Sequence, residues 1–452
     1  MTFSDINFLL IFILIFVPIY AVLPQKVKPF MLLAGGIGFY ALNDLWFLPT
    51  LLIDILIVFL IGILTDVAFN NIKLRNFLIK FGIALQIALM VASILVFKTH
   101  AFIGMGFFTV QLVGYYLDLL RLNISPCRNI ITFANYVLFF PKVLQGPIVP
   151  FDDMADSLSN PDRVTAEKLE KGIRIFILGI SLKILIADNL AMLWNDVQTV
   201  GFQSISTPLA WLSMYSYSMQ LFFDFQGYSL MAIGVAQMLG FTLPTNFRSP
   251  YLSRSISEFY RRWHITLGEW FKRYIYIPLG GSHNGVWKTV LSLSAVWVLT
   301  GLWHGLTINY LMWAGTLLFF ILIEKFFLKK VIKSKNVFAS IFCHLYVLFV
   351  IPMTWMMFAI PSPEQIGIFY TRLFNLTNIC PPIQVQADDY IKHLTSFAPF
   401  LIGGVICCFP IMEDALVKTR IYMTRFISFA LFWLCVYMVM KNGNNPFMYI
   451  TF

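Results

Sequence analysis

Apolar runs close to twenty residues long follow one another along this chain and dominate what it can fold into. A helix rises 1.5 Å per residue, so about 20 apolar residues cross the hydrocarbon core of a bilayer. The runs 6–23, 46–68, 77–97, 101–120, 287–303, 305–327, 338–360 and 421–440 meet that length or come near it. The run 397–411 is shorter, and 29–42 holds Gly35, Gly36 and Gly38, so it reads as re-entrant or strongly packed. Between 129 and 241 the runs 129–149, 171–193 and 208–241 are interrupted by proline, glycine and polar residues. Broken helices of that kind survive at membrane depth only against protein or a watery cavity. The expectation is an all-α polytopic membrane protein with about 11 crossings, plus re-entrant and interfacial helices.

Composition agrees. Of 452 residues, 59% are apolar and 12% charged, and the mean hydropathy is +0.78. A soluble globule of this length needs more polar sequence than that to cover itself. The same figures exclude a disordered chain, a collagen-like repeat and a secreted disulfide scaffold. One membrane-embedded body over residues 1–452 is expected. No basic stretch precedes the first run and no small-residue cleavage site follows it, so 6–23 reads as a retained helix, not a signal peptide. The six cysteines form no C-x-x-C pair and read as buried and reduced.

The net charge is +10. In a membrane protein such an excess reports cytoplasmic loops facing anionic lipid. With the N-terminus outside, Lys26 and Lys28 fall inside, as do Lys73, Arg75, Lys80, Arg121 and Arg128. The cluster Lys325, Lys329, Lys330, Lys333 and Lys335 falls inside, as do Lys418, Arg420 and Arg425. The basic-poor loop 361–396 falls outside. The basic residues lie between apolar runs and build no soluble basic domain, so nucleic acid is not an expected partner.

One stretch differs. Residues 245–288 interleave Arg248, Arg254, Arg261, Arg262, Lys272, Arg273 and Lys288 with Phe247, Tyr251, Phe259, Tyr260, Trp263, Trp270 and Tyr274. Ser255 can cap a helix with Glu258 as its capping-box partner. Phe259, Trp263, Trp270 and Tyr274 then share one face, which predicts an amphipathic helix in the cytoplasmic interface. Such a helix either anchors the chain to anionic headgroups or also forms a rim for a phosphate-rich ligand.

Among ionisable residues in apolar sequence, His304 stands out, in Thr300-Gly-Leu-Trp-His304-Gly305. Its side chain is costly there unless it lines a cavity or has a partner. A neutral imidazole at membrane depth can accept a proton and act as a general base; a packing histidine at the tip of a helical hairpin is the alternative. His264, in Arg261-Arg-Trp-His264, is a basic-face histidine. His100, His283, His344 and His393 fall near helix ends or in loops. No spacing among histidines and cysteines supports a zinc site. Asp224, within Phe222-Phe-Asp-Phe-Gln-Gly-Tyr228, needs a partner such as Lys183, a backbone N–H or a histidine. Gly-x-Ser-x-Gly, Walker A and Gly-x-Gly-x-x-Gly patterns in the required context are absent, which argues against a soluble-type hydrolase, NTPase or dehydrogenase. A transporter or flippase for an anionic or lipid-linked substrate would use the same broken helices, but no internal repeat is visible.

The segment Asn246-Phe-Arg-Ser-Pro-Tyr251, continuing through Ser257-Glu-Phe-Tyr-Arg-Arg-Trp-His264 to Pro278-Leu-Gly-Gly281, resembles the signature of the membrane-bound O-acyltransferase (MBOAT) family. Its bacterial polysaccharide-acetylation branch is the nearest resemblance. Thr300-Gly-Leu-Trp-His304 and Asp224-Phe-Gln-Gly-Tyr-Ser-Leu-Met-Ala-Ile-Gly234 match further motifs; Gln145-Gly-Pro147 and the ending Asn445-Pro-Phe-Met-Tyr-Ile-Thr-Phe452 add weaker ones. The core signatures span about 101–327. The chain departs from the pattern at Leu230 and Pro150, where relatives often carry an acidic and a basic residue. The resemblance implies helices around a central funnel and no metal, with acetyl-CoA arriving from the cytoplasm of a bacterial plasma (inner) membrane. His304 and His264 would be the catalytic pair. Arg261, Arg262, Trp263, Lys272 and Arg273 would bind the donor, and Asp224 and Trp303 would give structural support. The acceptor would be a cell-wall polysaccharide, peptidoglycan or an exopolysaccharide such as alginate. It would be reached directly or through a secreted or periplasmic acetyltransferase partner or a small carrier. The Pro-Leu-Gly-Gly281 ending favours acetylation over D-alanyl transfer to teichoic acid from a carrier protein.

Overall fold

The computed structural model describes residues 3, 5, 8–96, 104–376, 378–383, 385–386, 388–410 and 422–442. His100, Lys418, Arg420 and the ending 445–452 lie outside the described residues. The described secondary structure is helical, apart from one isolated bridge between Phe247 and Trp263. Among the described residues, seven helices are long and apolar enough to cross a membrane: Leu48–Val67, Ile72–Ser93, Ala166–Val200, Val286–His304, Ile308–Lys333, Val337–Ala359 and Asp389–Cys407. Ile11–Val22 and Met105–Leu120 are shorter apolar helices. The chain is therefore a multi-pass membrane protein, with fewer full-length spans among the described residues than the sequence suggested. Residues 397–407 of the short run belong to a longer helix, Asp389–Cys407, because residues 389–396 extend it at its N-terminal end.

The chain divides into two compact units. The first holds 1–180, 228–245 and 436–451. Here Leu48–Val67 and Met105–Leu120 both pack on Ile72–Val96, and Lys28–Asn43 packs on Ile130–Leu138. The glycine-rich run is strongly packed: a Cβ on Gly36 would lie 2.2 Å from the Leu138 carbonyl oxygen. Residues 139–149 are non-helical turns, yet buried. Phe8, Phe12, Phe39 and Phe140 form an aromatic core, with Phe12 and Phe140 centroids 5.1 Å apart. Some basic residues counted as loop charges are structural. Lys28 is 1% exposed and donates to the Asp162 carbonyl at 3.3 Å, and the buried Arg75 donates to the Leu119 carbonyl.

The second unit holds 181–227 and 246–435, with residue 452. Val286–His304 packs on Ile308–Ile323, which packs on Val337–Ala359. Gly301 permits the first of these approaches, since a Cβ there would stand 3.1 Å from both Ala314 Cβ and the Tyr310 carbonyl. Asn309 is 1% exposed and donates to the Met357 and Phe358 carbonyls, tying the second helix to the third.

The amphipathic helix expected over the basic aromatic stretch is corrected. Two short helices replace it, Ile256–Arg262 and Ile265–Phe271, followed by a π-helical turn, Lys272–Tyr276. The break is His264, whose backbone is left-handed at φ 46. Phe259, Trp263 and Tyr274 are 0%, 4% and 5% exposed, so that face is core. The Ser255 cap is present, with Ser255 Oγ accepting from Glu258 N at 3.0 Å. The reciprocal bond moves back one residue, from Arg254 N to Glu258 Oε2 at 2.9 Å.

Candidate active site

His304 is the last residue of the Val286–His304 helix. Gly305 ends that helix at φ 153, and a Cβ there would stand 2.7 Å from the Tyr310 ring. No other residue both takes that backbone and lets the next helix start so close. The His304 imidazole lies among aromatic rings, 4.8 Å from Trp303, 5.2 Å from Trp313 and 5.1 Å from Phe358, all edge-on. Rings at this range fix the imidazole plane, and His304 itself is half-buried.

His264 is 6% exposed and precedes the Ile265–Phe271 helix. Its left-handed backbone costs of order 1–3 kcal/mol and persists only where neighbours impose it. Asn246 supplies that constraint. It is fully buried, its carbonyl accepts from Ile265 N at 2.9 Å, and its Oδ1 accepts from Thr266 Oγ1 at 2.6 Å. Arg248 N donates to the Arg262 carbonyl at 3.0 Å, closing the turn from the other side. The His264 ring meets Phe225 edge-on at 4.7 Å and lies 6.3 Å from Trp303. Trp303 thus touches both imidazoles. His264 stands outside the spanning helices; burial, and to a smaller extent His304, hold its imidazole down at about 3. It is uncharged at neutral pH.

Asp224 is 1% exposed, and its Oδ1 receives Lys183 Nζ at 2.6 Å. The same ammonium reaches Asp188 Oδ1 at 2.7 Å. Lys183 was among the partners expected for Asp224. It sits in a π-helical turn, Leu182–Ala187, inside the Ala166–Val200 helix.

The proposed donor residues scatter in character. Arg261 and Lys272 are exposed, with Lys272 paired to Glu269 at 2.9 Å. Arg262 is paired to Glu258 at 2.6 Å, and the Arg273 guanidinium lies 5.2 Å from the Tyr274 ring centroid. Trp263 is a packing residue, stacked on Phe259 at 5.4 Å and 5.0 Å from Trp355. Of the other histidines, His283 is exposed, while His344 and His393 contact the Ser253 and Asp389 carbonyls.

Glu324 belongs to none of the sequence motifs. It is 3% exposed and takes N–H bonds from Ile256 and Ser257, and the Ser257 hydroxyl at 2.6 Å. It thereby clamps the start of the helix leading to His264 onto the helix that follows His304. An acidic residue inside the apolar run 305–327 was the available signal.

A family model described as MBOAT, the membrane-bound O-acyltransferase family, matches residues 123–363. The chain belongs to that family and is an O-acyltransferase. It is 34% identical over 382 residues to the probable alginate O-acetylase AlgI of Pseudomonas fluorescens, covering 83% of this chain and 76% of the relative. The peptidoglycan O-acetyltransferase of Helicobacter pylori is 33% identical over 237 residues, covering 47% of this chain and 45% of the relative. A teichoic acid D-alanyltransferase of Lacticaseibacillus rhamnosus is 29% identical over 230 residues, covering 47% and 56%.

Proposed function

We propose that this enzyme resides in a bacterial plasma membrane and moves acetyl from cytoplasmic acetyl-CoA to a hydroxyl outside. The hydroxyl belongs to a cell-wall polysaccharide or exopolysaccharide, or to a secreted partner or small carrier that passes the acetyl on. The observation that carries the reading is the meeting of two motifs forty residues apart, with His264 and His304 sharing the Trp303 ring. His304 removes the acceptor proton, and the hydroxyl oxygen attacks the thioester carbonyl. The C–S bond breaks, and the CoA thiolate leaves and takes the proton back from the imidazole. Trp303, Trp313 and Phe358 hold the base in place. His264, neutral and fixed by Asn246, orients the donor or supports His304. The exposed Arg261 and Lys272 suit the CoA phosphates.

The alginate O-acetylase relative aligns over much more of the chain than the D-alanyltransferase does, which favours acetyl over D-alanyl as the group moved. Purified protein given radiolabelled acetyl-CoA and a polysaccharide acceptor tests the reading. His304→Ala should lower transfer at least ~10²-fold with the folded yield unchanged. Transfer at the wild-type rate by that variant would remove His304 from the mechanism. Flux of substrate across vesicles without CoA release would point to a transporter.

A further inference from the structure

The second unit contains an apolar cavity of about 850 Å³ that the acyl-transfer chemistry leaves unused. The helices Thr207–Met238, Val337–Ala359 and Asp389–Cys407 contribute its walls, with Tyr215, Met219, Tyr251, Leu345, Phe349 and Cys408 among the lining residues. Its size falls in the range of ligand sites, roughly 300–1,000 Å³. Two of its few polar groups satisfy each other, since Ser218 and Tyr251 hydroxyls lie 2.7 Å apart. Water needs several polar partners to occupy a cavity and finds few here. Leu345 and Phe349 are 60% and 41% exposed, so the cavity opens sideways on a helix that is long and apolar enough to cross a bilayer. The medium outside that opening is lipid.

The region of Leu252 and Phe342, which also line the cavity, is cationic. Just beyond Leu252, the Ser253 carbonyl contacts His344 Nδ1 at 3.2 Å, and Arg254 Nη2 donates to the Ser334 carbonyl at 2.7 Å. Ser334 stands between Lys333 and Lys335, both exposed. Arg254 Nε is buried and makes no hydrogen bond among the described residues. Among those residues no carboxylate lies within ion-pair distance of the Arg254 guanidinium, Lys333 or Lys335; the Glu258 carboxylate beside Arg254 accepts from its backbone N and pairs with Arg262. Lys335 precedes the Asn336 cap of the Val337–Ala359 helix, and Phe342 lies six residues beyond that cap, about 9 Å along the helix. That is near the offset between a lipid phosphate and the first part of its acyl chain.

We propose that this cavity binds an acyl chain of an anionic glycerophospholipid, whose phosphate rests on Arg254, Lys333 and Lys335. The charge at one end and the apolar volume beyond it match the two parts of such a molecule, and the site does not depend on the role of His304. The full-length protein in nanodiscs tests it, with phosphatidylglycerol and phosphatidylcholine carrying a photoreactive group in the acyl chain. Phosphatidylglycerol should label the peptides around Leu345, Phe349 and Cys408 in preference to phosphatidylcholine. Lys333→Gln and Lys335→Gln should each lower that labelling by about fivefold. Leu345→Trp should block labelling by filling the cavity. The two lysines are exposed, so their variants keep the test valid if Leu345→Trp does not fold. Equal labelling by the two lipids, labelling spread evenly over the exposed helices, or preference for a polyprenyl phosphate probe would each overturn the proposal.

Discussion

At the scale of single residues, the side chains that matter are those whose cost is met by one specific neighbour. The ammonium of Lys183 is held by Asp224 and Asp188 where almost no water reaches. Removing one partner from a buried pair costs about 3–5 kcal/mol, because the other charge is left desolvated. Asp224→Asn should therefore lower the thermal unfolding midpoint of the purified protein clearly, while His304→Ala should leave it nearly unchanged. Equal midpoints for both variants would show that the Lys183 cluster adds little to stability. The sequence exposed Asp224, Lys183 and His304 because each interrupts apolar sequence. It did not expose Asn246 in its role, because asparagine is common in loops. Its value comes from two bonds to residues nineteen and twenty positions away.

At the scale of elements, the basic aromatic stretch shows where periodicity misleads. Phe259, Trp263, Trp270 and Tyr274 recur at helical spacing, and local pattern alone draws one helix through them. The observed break at His264 needs a left-handed backbone, uncommon for any residue but glycine; the pairing of 246–248 with 262–265 imposes it. Glu324 then anchors the first of the two short helices. Glu324→Ala leaves the buried Ile256 N–H unsatisfied, at about 1–3 kcal/mol, and frees the half-buried Ser257 N–H. That variant should lose both stability and acetyl transfer, whereas Ser255→Ala should cost about 1 kcal/mol of stability and little transfer. Thermal melts paired with transfer assays check both. The helices around His304 were more legible, because Gly301 and Gly305 mark the close approach that the structure contains.

At the scale of the whole molecule, the excess of basic residues is a statement about sidedness. Single cysteines in a cysteine-free background at Lys335 and Glu364, both exposed, should react with an impermeant maleimide from opposite faces of the membrane. Lys335 should label only from inside and Glu364 only from outside, because retained positive charge marks the cytoplasmic side. Labelling of Lys335 only from outside and Glu364 only from inside would reverse the orientation drawn from the loops, and labelling of both from one face would remove the crossing by Val337–Ala359. The sequence by itself determined that lipid is the solvent, that the chain is helical, and which two histidine motifs define its family. These follow from run length, composition and local motif, all of which are properties of short segments. Only the tertiary structure decided that both imidazoles touch Trp303, that Lys183 answers Asp224, that Trp263 is core, and that a lipid-sized cavity exists. Those outcomes depend on side chains far apart in sequence meeting under close packing, and hydrophobic periodicity carries no information about which segment a given face will meet.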